Sequence, residues 1–406
     1  MKDIYASIEL NNQNIRLVVA ELIRGNLYLL AAKEIFTNGI DRGRIIDFNV
    51  VSKDIEKVKT EVELMIGIKL NKVITLVSAE RAYYQLVKGY TTVTNEFKKI
   101  TPDDISRALQ ASVYNRISEK LELITIMPVD FEVDDIKVEN PINQIGDKLS
   151  VRGIMVTVPK ENVYGMVQAL GQAGLETVDI GISGVADYYY LFNQEENNKR
   201  GIIVNINTDI TTISYFNKGL IVNSEVIHVG VNNIIKDLAY VFNLHYIEAS
   251  RLLERFAIAT TRLANINEII TIRNKEQIEL TLNQYEVSEV VMARLVEIFK
   301  LTKMSIKNLT KKEISYIMFT GVASEIPGFT SLLSETVGSG IKIGNSKTMG
   351  ARNNAYVSVL GNIYYYVHKM KLKGKASAMY QEVKTVDVKS PKNGMMDKIF
   401  NYFKED

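Results

Sequence analysis

One pattern in this chain occurs twice, and it leaves few folds open. An apolar run over 4–10 is broken by Asn11-Asn12-Gln13-Asn14 and resumes over 15–22. Arg24-Gly25-Asn26 then turns it into a third run over 27–35. A helix should follow, with Ser52 as N-cap, Ile55, Val58, Val62 and Met65 on one face, and Gly67 at its end. About two hundred residues later the same order returns. The run 201–206 is broken by Asn207-Thr208-Asp209, 211–216 follows, Asn217-Lys218-Gly219 turns, 220–229 is a third run, and a helix begins near Asn232. Two such units predict an internally duplicated α/β protein whose hairpin tips face one cleft. A cleft between α/β lobes is a usual ligand site.

Between the two units the periodicity changes. Thr101-Pro102-Asp103-Asp104 is a strong helix start: a capping hydroxyl, proline in the first turn, and acids at the positive end of the dipole. Ile105, Leu109 and Val113 share a face, and 121–129, 131–138 and 149–158 read as strands, so roughly 81–160 is a small α+β insert. Pro159 should open the next helix, with Val163, Met166, Val167 and Leu170 buried and Gly171 or Gly174 ending it. The third quarter reads as helical over 247–256 and 287–309, with Val287, Val291, Leu295 and Ile298 on one stripe. A strand at 314–319 leads into Thr320-Gly321-Val322-Ala323, and the globular part should end near Met370.

Composition removes whole classes of chemistry. No cysteine means no disulfide, no thiol nucleophile and no Cys-ligated metal, and His228, His245 and His368 show no ligand spacing. A formal net charge of +2 is too small a surplus for bulk nucleic-acid binding. No secretory signal opens the chain, and no apolar run approaches the roughly 20 residues needed to span a bilayer, so a cytoplasmic protein is expected. Gly181-Ile182-Ser183-Gly184 lacks the spacing of a nucleophile elbow and reads as a turn at an interdomain hinge.

The tail has a different character. Residues 371–406 hold eight Lys and five acids, and 371–393 lacks helical periodicity. Beyond Gly394, the side chains of Met395, Met396, Ile399, Phe400, Tyr402 and Phe403 fall in an arc of roughly 160° at about 100° per residue, with Lys398 and Lys404 flanking it. This reads as an interfacial membrane anchor, with Phe and Met between acyl chains and the lysines toward anionic lipid. Six partly buried apolar side chains contribute on the order of 5 kcal/mol, roughly submillimolar affinity for one copy. Many copies on a polymer would bind firmly through effective concentration.

Taken together, the chain resembles the FtsA family of actin-like bacterial cell-division proteins, from about Tyr5 onward. The resemblance rests on Gly39-Ile40-Asp41-Arg42-Gly43-Arg44-Ile45-Ile46-Asp47, on the insert around 105–135, on the helix containing Ala293-Arg294, and on the linker with its terminal helix. It implies an actin-like (duplicated ribonuclease-H-like) two-lobed α/β fold with an α+β IC-type insert and a C-terminal amphipathic helix. In the family's terms 1–80, 161–198 and 355–370 form subdomain IA and 81–160 forms IC. Residues 199–240 and 313–354 form IIA, 241–312 forms IIB, 371–393 is a flexible linker and 394–406 the membrane-targeting helix. The implied role is a peripheral adaptor on the cytoplasmic face of the plasma membrane, at the division site. It would tether FtsZ filaments and polymerise head to tail through IC. On helix IIB, Arg294, Lys300, Lys303 and Lys307 would meet the acidic FtsZ C-terminal peptide.

The resemblance also implies ATP and Mg²⁺ between two glycine-rich hairpins, where backbone N–H groups approach phosphates without a Cβ in the way. Here those hairpins carry Asn11, Asn12, Gln13 and Arg16, and Asn205, Asn207, Thr208, Asp209, Thr211 and Thr212. Asparagine tolerates positive φ, so the turns can form, but the approach is obstructed and Asp209 repels phosphate. Ser250 and Leu253 stand where the family has Glu and Lys, and Gly321 is followed by Val322 in place of a second glycine. Weak or absent ATP binding is therefore expected, with at most weak ATPase activity. The competing arrangement has Glu9, Asn205 and Asp209 holding Mg²⁺ around a nucleotide. An ATP-dependent kinase of the same superfold, or another actin-like scaffold such as the pilus-assembly relatives, are the alternatives.

Overall fold

A computed structural model describes residues 3–41, 43–192, 198–338 and 340–380. The first unit is β1 (Ile4–Leu10), β2 (Asn14–Ile23), β3 (Asn26–Phe36), a short hairpin β4 (Ile40–Asp41) and β5 (Arg44–Ile45), α1 (Phe48–Ile66) and β6 (Lys72–Val77). After the insert, α3 (Glu161–Gln172), β11 (Glu176–Ile182) and α4 (Ser183–Leu191) complete the lobe. Its sheet runs β11-β6-β1-β2-β3, with β6 parallel to β1 and the hairpins antiparallel. Alternation along β1 explains the layering. Ile4, Ala6 and Ile8 enter the core beneath α1 and α3, while Tyr5 joins the core under the last helix, α9 (Val357–Leu372), on the opposite face.

The second unit repeats this order. It comprises β12 (Arg200–Ile206), β13 (Thr211–Asn217), β14 (Leu220–Ile227), α5 (Val231–Val241), α6 (Tyr246–Arg255), the hairpin β15 (Ile269–Arg273) and β16 (Glu279–Asn283), and α7 (Gln284–Leu309). Then come β17 (Tyr316–Thr320), α8 (Phe329–Val337) and β18 (Ile341–Ile343). The sheet is β14-β13-β12-β17-β18, so in each lobe the third, second, first, fourth and fifth strands lie in the same spatial order. Val287, Val291, Leu295 and Ile298 of α7 are fully buried in the second lobe's core, as their spacing requires. The mixed α/β architecture with two sheet lobes is the one the duplicated pattern calls for.

The insert comprises β7 (Tyr83–Thr92), α2 (Pro102–Val113), β8 (Leu121–Val133), β9 (Ile136–Val138) and β10 (Lys148–Pro159), in a sheet ordered β7-β10-β8-β9. Thr101 caps α2 and Asp104 returns a bond to the Thr101 N–H, a full capping box. The insert also touches the second lobe, where the Tyr84 and Ser224 hydroxyls lie 2.6 Å apart.

Several local expectations are corrected. Asp47, not Ser52, caps α1, accepting from the N–H groups of Asn49 and Val50, and Met65 is exposed. Pro159 ends β10 instead of opening α3. Strand β8 runs through Asp130 without a break, because the turn lies at Asp134 and Asp135, both at positive φ. The 181–184 stretch is the end of β11 and the start of α4. Strand β7 and the β15–β16 hairpin carried no clear sequence pattern.

The C-terminal boundary also moves. Helix α9 continues to Leu372, and the chain stays packed to Tyr380, whose backbone N–H reaches the Ile4 carbonyl at 3.2 Å. The buried Tyr380 hydroxyl meets the N–H groups of Asn71 (3.1 Å) and Lys72 (2.7 Å), and Ser377 Oγ lies 2.7 Å from the Tyr5 hydroxyl. Residues 371–380 are thus a strap across the base of the first lobe, where a flexible linker was expected. The proposed anchor, 394–406, lies outside the described residues.

Candidate functional site

Both hairpin tips reach the cleft between the lobes. Asn11, Asn12, Asn207, Thr208, Asp209 and Thr212 line one cavity of about 50 Å³. Each turn is closed by a backbone bond, Asn11 N–H to the Asn14 carbonyl (2.9 Å) and Asn207 N–H to the Ile210 carbonyl (3.0 Å). None of 11–14 or 207–210 has positive φ, so the left-handed asparagines anticipated from the sequence are not used. Asn12 Oδ1 instead accepts from the Gly43 N–H at 2.8 Å, tying the first tip to the β4–β5 hairpin. Thr211 turns away, its hydroxyl donating to the Val229 carbonyl at 2.8 Å.

A helix N-terminus presents free N–H groups to an anion. Those at the start of α5 are taken. Val231 N–H donates to the Asn207 carbonyl (3.1 Å) and Asn232 N–H to the Thr208 carbonyl (2.8 Å). Gly230 permits this collapse, since a Cβ there would sit 2.4 Å from the Asn207 oxygen. Asp209 Oδ1 accepts from Asn232 Nδ2 at 2.5 Å, and burial pushes the Asp209 carboxyl pKa up. Asn232 Oδ1 in turn accepts from the Tyr246 hydroxyl, which lies 3.3 Å from Gln13 Oε1 of the opposite lobe. Asp209, Asn232 and Tyr246 thus form a hydrogen-bonded chain on one wall of the cleft, with Gln13 of the opposite lobe in polar contact at its end.

At the floor of the cleft one cation stands between two carboxylates. Arg16 is fully buried, with Nη1 3.2 Å from Glu9 Oε2 and Nε 2.9 Å from Glu34 Oε2; the three residues are cross-strand neighbours on β1, β2 and β3. Burial raises the Glu9 pKa despite that partner. Deeper still, Asn205 Nδ2 donates to Asp187 Oδ2 (3.0 Å) and to Ser358 Oγ (3.2 Å), and Ser358 donates to Asp187 Oδ1 (2.5 Å). Burial lifts the Asp187 carboxyl to about 7, only partly offset by these bonds. Ser183 Oγ, Asn205 Oδ1 and Asp209 Oδ2 are buried without partners, and all three residues line the small cavity.

A wider cavity of about 520 Å³ adjoins the first on the side of α5 and α6, lined by Tyr246, Ser250, Leu253, Val322, Ile326 and Asn353 among others. Ser250 donates to Glu254 Oε1 at 3.2 Å, while Leu253 is buried in the core. Gly321, at φ +93, packs against Asn205 so closely that a Cβ would lie 2.2 Å from Oδ1. The wider cavity has the volume for a nucleoside. The narrow cavity at the hairpin tips is small, its walls carry three carboxyl groups (Glu9, Glu80 and Asp209), and Asn11 Nδ2 is a buried donor there without a partner. Of the hairpin residues singled out in the sequence, Asn11, Asn12, Asn205, Asn207, Thr208, Asp209 and Thr212 line the narrow cavity, Gln13 and Arg16 line the wider one, and Thr211 turns away. Sequence reasoning missed Asp187, Asn232 and Tyr246, which follow no motif; a lone acid in the otherwise apolar α4 was the available signal for Asp187.

On α7, the Arg294 guanidinium is committed to Asp237 of α5 through two bonds of 2.6 and 2.9 Å, and to Glu297. It is not free to hold a peptide. Lys300, Lys303 and Lys307 are exposed, with Lys303 Nζ on the Thr336 carbonyl at 2.8 Å. Met395, Met396, Lys398, Ile399, Phe400, Tyr402, Phe403 and Lys404 lie outside the described residues, of which no helix is long and apolar enough to cross a membrane.

Similar proteins align with these units. The family model for cell division protein FtsA matches residues 202–361, and that for the SHS2 domain inserted in FtsA matches 81–157. Cell division protein FtsA of Bacillus subtilis (strain 168) is 23% identical over 377 residues, covering 92% of this chain and 86% of that protein. FtsA of Enterococcus hirae is 24% identical over 364 residues, covering 89% and 82%. Among solved structures, the PilM-PilN type IV pilus biogenesis complex has a TM-score of 0.58 at 16% identity, over 88% of this chain and 96% of that one. MreB5 of Spiroplasma citri bound to ADP has a TM-score of 0.54 at 12% identity, over 91% and 98%. The fold is actin-like. Because the PilM likeness covers most of the chain, architecture alone does not separate a division protein from a pilus scaffold; the sequence matches do.

Proposed function

This chain belongs to the FtsA family of cell-division proteins, and from that premise we propose that it tethers FtsZ filaments to the cytoplasmic face of the plasma membrane and polymerises head to tail. The observation carrying the reading is that one family match falls on the insert and the other on the second lobe. Both surfaces have work to do in an adaptor, one toward the next subunit and one toward the filament. Membrane attachment is assigned to residues 394–406, weak in one copy and firm in an array.

For FtsZ, the exposed Lys300, Lys303 and Lys307 recur at helical spacing along α7, which suits an acidic peptide lying along the helix. Replacing all three with Glu should weaken binding of a labelled FtsZ C-terminal peptide at least tenfold in fluorescence anisotropy. Unchanged affinity would move the contact elsewhere.

Nucleotide enters this function weakly or not at all. The chain Asp209–Asn232–Tyr246 and its contact with Gln13 occupy the space between the hairpin tips, which supports this reading. A second reading draws on the unpartnered Ser183 Oγ, Asn205 Oδ1 and Asp209 Oδ2: with the tips moved apart, these oxygens could face Mg²⁺ and a nucleotide in the wider cavity. Isothermal titration with ATP and Mg²⁺ separates the two. Submicromolar binding would favour the second.

A further inference from the structure

We propose that the base of the first lobe is itself an anionic-lipid-binding face, which supplies the electrostatic half of membrane attachment while the terminal helix supplies the apolar half. The inference rests on the tail being the anchor.

Charge counting comes first. The expected linker was lysine-rich, but the strap places Lys371, Lys373 and Lys375 on the folded body. What remains beyond Tyr380, residues 381–406, holds five Lys and five acids and is net neutral. Such a segment has no net attraction to anionic lipid. If lipid charge is recognised, the folded part must do it.

The folded part has the right face in the right place. Strands β1, β6 and β11 run parallel and begin at one end of the lobe, remote from the cleft, and α1 and α9 end there. At that end Lys69, Lys72, Lys371, Lys373 and Lys375 are exposed, against Asp3, Glu21, Asp103 (beside Pro102, which packs on Gly374), Glu176 and the Glu63 carboxylate that Lys69 already neutralises at 2.6 Å. Leu64 and Met65, 80% and 60% exposed, stand beside them on the last turn of α1. Long cationic stems around a small apolar patch are the side chains that enter a headgroup layer.

The exit point fixes which occupant meets this face. Tyr380 is pinned to Asn71 and Lys72, so the chain departs from the middle of the basic patch. Only residues 381–393 separate that point from the anchor, a reach of at most about 45 Å. A membrane holding the anchor is therefore kept near the base, and the lysines act on it once it comes within the Debye length of about 8 Å. Each lysine near an anionic surface contributes about 1 kcal/mol.

The test is vesicle sedimentation of the full chain on phosphatidylcholine alone and on phosphatidylcholine mixed with phosphatidylglycerol. Wild type should bind the anionic vesicles at least tenfold more tightly, with the preference lost in high salt. Replacing Lys72, Lys371, Lys373 and Lys375 with Gln should abolish the preference while leaving binding to neutral vesicles unchanged. Neutralising Lys120, Lys275, Lys311 and Lys347, which lie elsewhere, should preserve it at equal net charge. Circular dichroism checks that each variant folds. An undiminished anionic preference in the base variant, or an equal loss in the control, would overturn the proposal. A chain ended after Asn393 reports separately on the anchor: if it binds both kinds of vesicle as well as the full chain does, the tail reading fails instead.

Discussion

Three buried residues, two of them charged types, set the behaviour of the cleft. Arg16 is buried between two carboxylates, and removing one partner of such a group leaves unpaired charge in a low-dielectric interior. Arg16→Ala should cost about 3–5 kcal/mol in chemical denaturation, and adding Glu9→Gln should return part of it; a cost below about 1 kcal/mol would contradict the assignment. Gly321 combines positive φ with a backbone against Asn205 and Ile206, so Gly321→Ala should destabilise by about 2–4 kcal/mol, read in the same way. Asp187 makes stability depend on pH. Its folded pKa, about 7, lies above the ordinary carboxylate value, so the protonated form favours the fold. That contribution is complete below about pH 4 and is lost as pH rises through 7. Thermal melts between about pH 5 and 8 should fall with pH, and Asp187→Asn should flatten the decline; an unchanged slope would place the titrating group elsewhere. The hairpin residues were legible because their place in a repeated pattern marks them. Asp187 and Tyr246 were not, since their significance comes from partners distant in sequence.

At the scale of elements, what could be read depended on local signals. The α2 start was readable because Thr101, Pro102 and Asp104 carry the whole capping box within a few residues. The α7 stripe was readable because a long helix repeats its period often enough to be seen. The β7 strand was not, because its outward positions alternate between tyrosines, Leu86 and Lys88 and give no clean period. The end of the globular part was misplaced for a related reason. The strap is held by hydroxyls and backbone groups, and no apolar periodicity announces that kind of docking. Tyr380→Phe should cost about 1–2 kcal/mol, measured by urea denaturation. A chain ended after Met370 should unfold at lower urea than one ended after Tyr380, and equal midpoints would mean that the strap does not stabilise the lobe.

For the whole molecule, the physical picture is an actin-like body with a polar cleft between its lobes and, at the opposite end of the first lobe, the exit of the chain at Tyr380. The duplicated pattern was enough to anticipate two similar sheets, because strand order within each unit follows from short connections and buried strands. The missing glycines led to an expectation of weak phosphate binding. The capture of the α5 N-terminus by the Asn207 and Thr208 carbonyls, which bears on that expectation, depends on a turn geometry that the residue types alone left open. Millimolar ATP with Mg²⁺ should leave the melting temperature within error; a rise of several degrees would restore a nucleotide to the account. The most direct measurement of the tethering role is recruitment of preformed FtsZ filaments to anionic vesicles, followed by co-sedimentation. Filaments should pellet with vesicles when the full chain is added without nucleotide, and stay in solution when the added chain ends after Asn393. Filaments that remain in solution with the full chain, or that are recruited equally well by the shortened one, would contradict it.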